Sequence, residues 1–478
     1  MKKILALIMA MAMVLSLAAC GGNKGGSSAA NPSNSETKAP DQTKAPDQTK
    51  EADKTEAPAG EPIEVVWWTY YGDTNIGYCQ KLLDEFNASQ TKYHATIAFQ
   101  GSQSEMNAKI AATKQSELPA MFSGAVENVA MYEAADYCAP IQPYLDADKE
   151  GWKELDTTWD AIRAAYSNKE GKLVGYPMGY SYGGIFFNKT MFDEAGIDPA
   201  SLKSFDDIYA ISKQLKDAGK TQYGIGFHPD GFYFNGVLGR EGIQYYDAAN
   251  GYDGDITKCL YVEDATAHDA IKNMLTNYQK LSQEGLMVAY GSNYQSDIIP
   301  LLADGECAML MGVVSMTTKI LTACEGKCEI GIVPLVSATA NGKRTGEPAG
   351  GTGNFICNNG NADQMQGAYE LIKFLSQAEQ AAFFATSTGY LAPNKDAYDS
   401  ESYQKFLKET FPAVSVVYDS LAKSDDSANN PYIPISNEMK AANKLCISTV
   451  CEGGDVEEAI KAACDTIQEA IEMYNLSK

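Results

Sequence analysis

The chain has 478 residues, of which 45% are hydrophobic and 21% charged, and a formal net charge of −24. That acidity, opposed by only three arginines (Arg163, Arg240 and Arg344), repels phosphate backbones and argues against nucleic acid as a partner. Past residue 20 no run approaches the roughly 18 apolar residues of a membrane span, so the bulk of the chain reads as a globular body.

In chain order, the first element is a leader. Met1-Lys2-Lys3 is a basic start, and Ile4 to Leu17 is almost uninterruptedly apolar yet too short to span a bilayer. Ala18 and Ala19 before Cys20 resemble a bacterial lipobox, which predicts a signal peptide over residues 1–19 and a lipid-modified Cys20 as the new N-terminus. Ordinary cleavage beside an incidental cysteine is the plainer alternative. Residues 20–62 then read as an anchor and linker. From Gly21 to Pro62 there is one isoleucine-free, aromatic-free polar stretch carrying the repeat Thr37-Lys38-Ala39-Pro40-Asp41-Gln42 and Thr43-Lys44-Ala45-Pro46-Asp47-Gln48. Nothing in it offsets the entropy of folding, and a coil of about 40 residues reaches roughly 35 Å.

The body opens with Ile63 to Trp68, a β-branched and aromatic run that predicts a buried strand. A helix follows, with Tyr78, Leu82 and Phe86 on one face, then a strand over Tyr93 to Phe99 and a helix over Glu105 to Lys114. Further strands are expected at Lys172–Tyr176, Gly184–Asn188, Ala308–Met311, Ile330–Val333 and Phe355–Cys357. Ser204 and Asp207 form a near capping box for a helix that buries Phe205, Ile208, Ile211 and Leu215. Helices are also expected within Val262–Leu281, at Gly367–Leu375 and Glu379–Ala385, and over most of the last 50 or so residues. Strand alternating with helix predicts α/β architecture, with mostly parallel sheets covered on both faces in two units that the chain crosses several times.

Ten cysteines besides Cys20 allow up to five disulfides outside the cell, with no connectivity assignable from spacing. Cys79, Cys307 and Cys357 read as small buried hydrophobes, and the three histidines stand far from the close cysteine pairs, which argues against zinc. No metal or other cofactor is expected. Gly179-Tyr180-Ser181-Tyr182-Gly183 matches a hydrolase nucleophile elbow, but that elbow needs a helix after the serine and here a strand is expected. Gly350-Gly351-Thr352-Gly353 lacks the lysine of a phosphate-binding loop and reads as a crossing between units. Aromatics gather outside the regular elements instead: Trp68, Tyr70 and Tyr71, then Tyr180 and Tyr182, then Phe232, Tyr233 and Phe234 in a glycine-flanked loop, then Tyr390. Open α/β sheets bind ligands at strand carboxyl ends, and flat rings with polar neighbours suit sugars and polyols.

The segment Gly171-Lys172-Leu173-Val174-Gly175-Tyr176-Pro177, with Phe187-Asn188-Lys189, Ala195-Gly196-Ile197-Asp198-Pro199 and Ser204-Phe205-Asp206-Asp207, resembles a known family. It is similar to the type 1 extracellular solute-binding proteins of bacterial ABC importers. Gly305-Glu306-Cys307-Ala308-Met309, residues 368–375 and Thr388-Gly389-Tyr390-Leu391 extend the likeness over nearly all of 63–475. Asn250-Gly251-Tyr252-Asp253-Gly254 and Gly389-Tyr390 carry a closer likeness to the glycerol-3-phosphate and glycerophosphodiester binders. The arginine those binders place after the Gly-Tyr element is missing here, since no arginine follows Arg344; Arg240 is the available substitute.

The resemblance implies a two-lobed, type II periplasmic-binding-protein-like fold with a hinged cleft. The first lobe is expected over 63–181 plus 309–352 and the second over 182–308 plus 353–478, with crossings near 180–183, 306–309 and 350–354. It implies a monomer that hands a small solute to membrane permease subunits and is held to the membrane by its lipid anchor. Ligand contacts are expected from Trp68, Tyr70, Glu127, Tyr180, Ser181, Phe232, Tyr233, Ser315, Gly351 and Tyr390. A neutral carbohydrate or polyol is the expected solute, with glycerol-3-phosphate or a glycerophosphodiester as the alternative and a surface hydrolase as the rival class.

Overall fold

Alternation of strand and helix along this chain builds two separate sheets. The computed structural model describes residues 61–478 except 292, 341, 343–345, 349 and 425–427, so the leader, Cys20, nearly all of the linker and Arg344 lie outside the described residues. The first sheet is formed by β1 (Ile63–Thr69), β2 (Tyr93–Phe99), β3 (Met121–Ala125) and β9 (Thr352–Ile356), in the order β2-β1-β3-β9. The second is formed by β4 (Gly183–Asn188), β5 (Tyr223–Phe227), β6 (Met287–Ala289), β7 (Cys307–Val313) and β8 (Ile330–Pro334), in the order β6-β5-β7-β4-β8. In the first sheet only the β3–β9 pairing is antiparallel; in the second, β4 runs against both its neighbours.

The helices that matter below are α1 (Asp73–Ser89), α2 (Gln103–Ala112), α3 (Phe205–Asp217), α4 (Gly231–Arg240), α5 (Ala265–Gln283), α6 (Ala362–Leu375), α7 (Ala378–Thr388), α8 (Ser436–Cys451) and α9 (Val456–Ser477). The Ser204 box is complete: its hydroxyl accepts from the Asp207 amide while the Asp207 carboxylate accepts from the Ser204 amide. α3 buries Phe205, Ile208, Ile211 and Leu215 as its spacing predicts.

The lobe boundaries need correction. β7 is the middle strand of the second sheet, between β5 and β4, whereas β9 closes the edge of the first. The chain therefore does not cross at 306–309; Gly305, at φ +76, simply turns the chain into β7. Residues 353–388 do not belong to the second lobe either. Gly367 of α6 faces Val65 of β1 so closely that an added Cβ would lie 2.5 Å from it. The crossings expected near 180–183 and 350–354 stand, just before β4 and between β8 and β9, and a further one lies in the stretch leading to α8. Two more expectations fail locally. Lys172–Tyr176 forms only isolated bridges, from Leu173 to Ser167 and Tyr176 to Asn354. Phe232-Tyr233-Phe234 is the first turn of α4, because the Asp230 side chain caps it by accepting from the Phe232 amide at 2.8 Å.

Candidate functional site

The carboxyl ends of β1, β3, β5 and β7 and the amino ends of the antiparallel β4 and β9 converge, and every expected contact except Tyr390 lies on one of these ends or on the segments beside them. A buried relay sets the turn after β1. The Trp67 indole donates to Ser123 Oγ at 2.9 Å, Ser123 donates to Thr69 Oγ1 at 2.9 Å, and Thr69 accepts from the Tyr71 amide at 3.0 Å. Tyr70 and Tyr71 are thereby held at the strand end, with the Tyr70 hydroxyl 2.8 Å from Thr352 Oγ1 at the start of β9.

Tyr390 arrives from the other side. Gly389 caps α7 at φ +86, a left-handed position where an added Cβ would lie 2.9 Å from the Thr318 amide nitrogen. Leu391 and Tyr180 exchange backbone hydrogen bonds of 2.8 Å, which fixes Tyr390 against the crossing. Its ring packs edge-on to Tyr71 at 6.4 Å. Burial raises the Tyr390 phenol above its ordinary value, against hydrogen bonding with Thr352 and Ser315. Gly350-Gly351 passes between two rings: a Cβ on Gly350 would sit 2.8 Å from Phe232 and one on Gly351 3.5 Å from Tyr390. The structure thus brings together Tyr70, Ser181, Phe232, Ser315, Gly351 and Tyr390.

The other four expected residues stand differently. Trp68 faces the opposite side of β1 from Trp67, with the Lys109 ammonium of α2 4.3 Å from its ring centre. Tyr180 is fully buried, its hydroxyl 3.5 Å from the Glu347 carbonyl, and Tyr233 is buried beside Phe227. Ser181 belongs to the group but is itself occupied, its Oγ accepting from the Ser315 amide at 3.2 Å and its backbone pairing with Gly350. β4 begins two residues later, so no helix aims this serine as a nucleophile.

Glu127, on the turn after β3, meets Lys440 of α8 at 2.9 Å; both side chains are largely buried. Next along α8's start, Ser436 donates to Asn128 Oδ1 at 2.7 Å, and the Tyr432 hydroxyl bonds Glu133. These bonds join the segment that follows β3 to α8 and the stretch leading into it. Asp230 adds a second carboxylate near Lys440. Burial alone would raise its carboxyl, but the contact from His228, the Lys440 charge and the Phe232 amide outweigh it and hold the group down to about 2. Lys440 in turn is raised, since the Glu127 and Asp230 charges exceed the effect of burial. None of Lys440, Asp230, His228, Thr352 and Asn128 was among the expected contacts; a lone lysine inside an amphipathic helix carries no signal of facing a carboxylate from another lobe.

Two cavities, of about 290 and 490 Å³, lie along the rim of this seam rather than among Tyr70 and Tyr390. The larger is lined from one side by Ala164 and Asn168 and from the other by Gln244, Asn250 and Tyr252. There Ala248, Ala249 and Asn250 all hold φ between +50 and +57, a strained turn pinned by the Asn250 carboxamide, which accepts from the Tyr245 and Tyr246 amides at 2.9 Å. Arg240 does not stand ready for a phosphate: it is buried and ion-paired with Glu347.

A family model described as bacterial extracellular solute-binding protein matches residues 81–409, well over half of the chain. The chain belongs to that family. Among curated relatives, the sn-glycerol-3-phosphate-binding periplasmic protein UgpB of Brucella melitensis is 24% identical over 72% of this chain and 78% of its own length. UgpB of Shigella dysenteriae is 23% identical over 82% and 86%. Among solved structures, the sugar-binding protein MalE of Xanthomonas citri superposes with a TM-score of 0.70 at 16% identity, covering 87% of this chain and 98% of that one. UgpB of Mycobacterium tuberculosis, in complex with glycerophosphocholine, gives 0.69 at 16% identity over 87% and 100%. This solute-binding protein therefore has the two-lobed α/β binding fold, and proteins of its family act outside the cytoplasm, in the periplasm or beyond.

Proposed function

We propose that this protein captures a neutral carbohydrate or polyol between its two lobes and delivers it, chemically unaltered, to the permease of an ABC importer. One observation carries the choice of solute. Arg240 and Lys440 are each paired with a carboxylate, Glu347 and Glu127, while aromatic faces and hydroxyls stand together at the crossing. Rings of this kind stack on the C–H faces of sugars, and hydroxyls and carboxylates satisfy their rims. Stacking falls to Tyr70, Phe232 and Tyr390, and hydrogen bonding to Glu127, Ser315 and the Gly351 amide. Delivery without reaction is favoured because Ser181, the one serine in a nucleophile-like motif, accepts a backbone hydrogen bond and precedes a strand. A lipid on Cys20 and the linker after it would moor the monomeric body outside the membrane.

The alternative solute is glycerol-3-phosphate or a glycerophosphodiester, favoured by the UgpB relatives. Thermal melting against a panel of sugars, polyols and glycerol phosphates separates the two. A true ligand at a hundredfold excess over its Kd stabilises by about 2.7 kcal/mol. A shift with neutral solutes and none with the phosphates is expected; the reverse pattern would transfer the assignment to the alternative.

A further inference from the structure

All ten cysteines of the body are present as thiols; besides Cys324 and Cys328, neighbours four residues apart, two pairs bring together segments distant in sequence, one pair in each lobe. Cys138 and Cys357 oppose each other across an isolated antiparallel bridge. The bridge hydrogen bonds run from the Ala139 amide to the Ile356 carbonyl and from the Asn358 amide to the Tyr137 carbonyl, both 2.9 Å. The cysteines are therefore the non-hydrogen-bonded pair, whose Cα atoms lie about 4.5 Å apart with the side chains close. That spacing falls inside the range a disulfide bridges without moving backbone, roughly 4.4–6.8 Å. In the second lobe α9 is zipped to residues 256–259: Gln468 accepts from the Cys259 amide at 3.0 Å, and Asn475 donates to the Ile256 carbonyl at 2.9 Å. One turn before Gln468, Cys464 donates its thiol to the Cys259 carbonyl, Sγ to oxygen 3.6 Å, which sets the Cys259 side chain beside it.

We infer that Cys138–Cys357 and Cys259–Cys464 are disulfides in the protein as it stands outside the cell, one staple in each lobe and none across the hinge. The inference rests on the extracellular reading, because that is where disulfides persist. The chemistry is thiol–disulfide exchange with an external disulfide, borne by an oxidoreductase or a small molecule. The half-buried Cys464, whose thiol sits below its ordinary value through the hydrogen bond with Cys259, attacks one sulfur of that disulfide as thiolate and displaces the other. Cys259 then gives up its proton to water and attacks the Cys464 sulfur, releasing the second external thiolate. Two electrons leave with the two external thiolates, and the two protons given up by Cys464 and Cys259 go to solvent. Cys138 and Cys357 are buried, so the same exchange there occurs while the chain folds. Each bond joins segments far apart in sequence within one lobe, which restricts the unfolded chain and leaves lobe opening free.

The test is linkage mapping on full-length protein taken from the cell envelope, acid-quenched, blocked with N-ethylmaleimide under denaturant and digested without reductant. Peptides joining Cys138 to Cys357 and Cys259 to Cys464 are expected, each about 2 Da lighter than the sum of its thiol forms. A reductant should lower the melting temperature of the wild type by several degrees and leave the variant carrying C138A, C357A, C259A and C464A unmoved. Maleimide on all four cysteines, different linkages, or an equal loss in the variant would overturn the inference. If the four are free, oxidised glutathione added to reduced protein tells which part failed: linkage of the same pairs faults the location, and no linkage faults the geometry. A solute panel with no melting shift would count against the proposed function and leave the linked peptides as they are.

Discussion

Lys440 and Glu127 form the most consequential contact for closure. Opening the lobes lets both charges regain water, so the closed form alone suffers when one partner is removed. Lys440→Met is therefore expected to weaken solute binding about tenfold, roughly 1.4 kcal/mol, in calorimetric titration; unchanged affinity would show that the pair does not report on closure. Asp230 predicts an acid limb. Its carboxyl is held down to about 2 in the folded protein, so its contribution is fully present above the ordinary value near 4 and is lost as the pH falls toward 2. Melting temperatures measured from pH 5 to 2 should fall less steeply in Asp230→Asn than in the wild type. Six of the ten contact residues named from sequence do meet around Gly350-Gly351. Trp68 stands apart from that group because strand alternation, which sends Trp67 inward, turns Trp68 toward α2. Tyr180 and Tyr233 satisfied the aromatic criterion yet are buried, since an isolated ring in sequence does not declare which side of a crossing it fills.

Among elements, those with a cap and a clean apolar period were legible. The Ser204 helix is the clearest case, and Ser204→Ala is expected to cost about 1 kcal/mol, read as a lower melting temperature. The first turn of α4 was missed because four apolar and glycine residues in a row give no period; the informative residue was Asp230, whose capping hydrogen bond starts the helix. Residues 172–176 failed as a strand for a different reason. Their β-branched and aromatic residues fit a sheet, but their partners are a loop residue and one residue of β9, so only single bridges form. Gly389 ties element to site. Gly389→Ala meets both the left-handed φ and the Thr318 backbone, and it should lower solute affinity more than a substitution on the exposed face of α7.

For the molecule as a whole, the existence of two lobes was readable from alternating strand and helix, whereas their chain boundaries were not. β7 is a short apolar run and β9, Thr352 to Ile356, a mixed one, and nothing local tells which sheet each will enter; strand order is decided by long-range pairing. The bonds from Glu127, Asn128 and Glu133 to Lys440, Ser436 and Tyr432 describe lobes drawn together. Without solute, Lys440→Met should accordingly show a larger radius of gyration by small-angle scattering than the wild type. The account stands or falls on whether the rings at the crossing hold a solute. Calorimetric titration of the best neutral sugar or polyol into wild type, Tyr390→Ala and Phe232→Ala measures this directly. One site per chain, weakened at least tenfold in each variant, is the predicted result; equal affinity in all three proteins would contradict it.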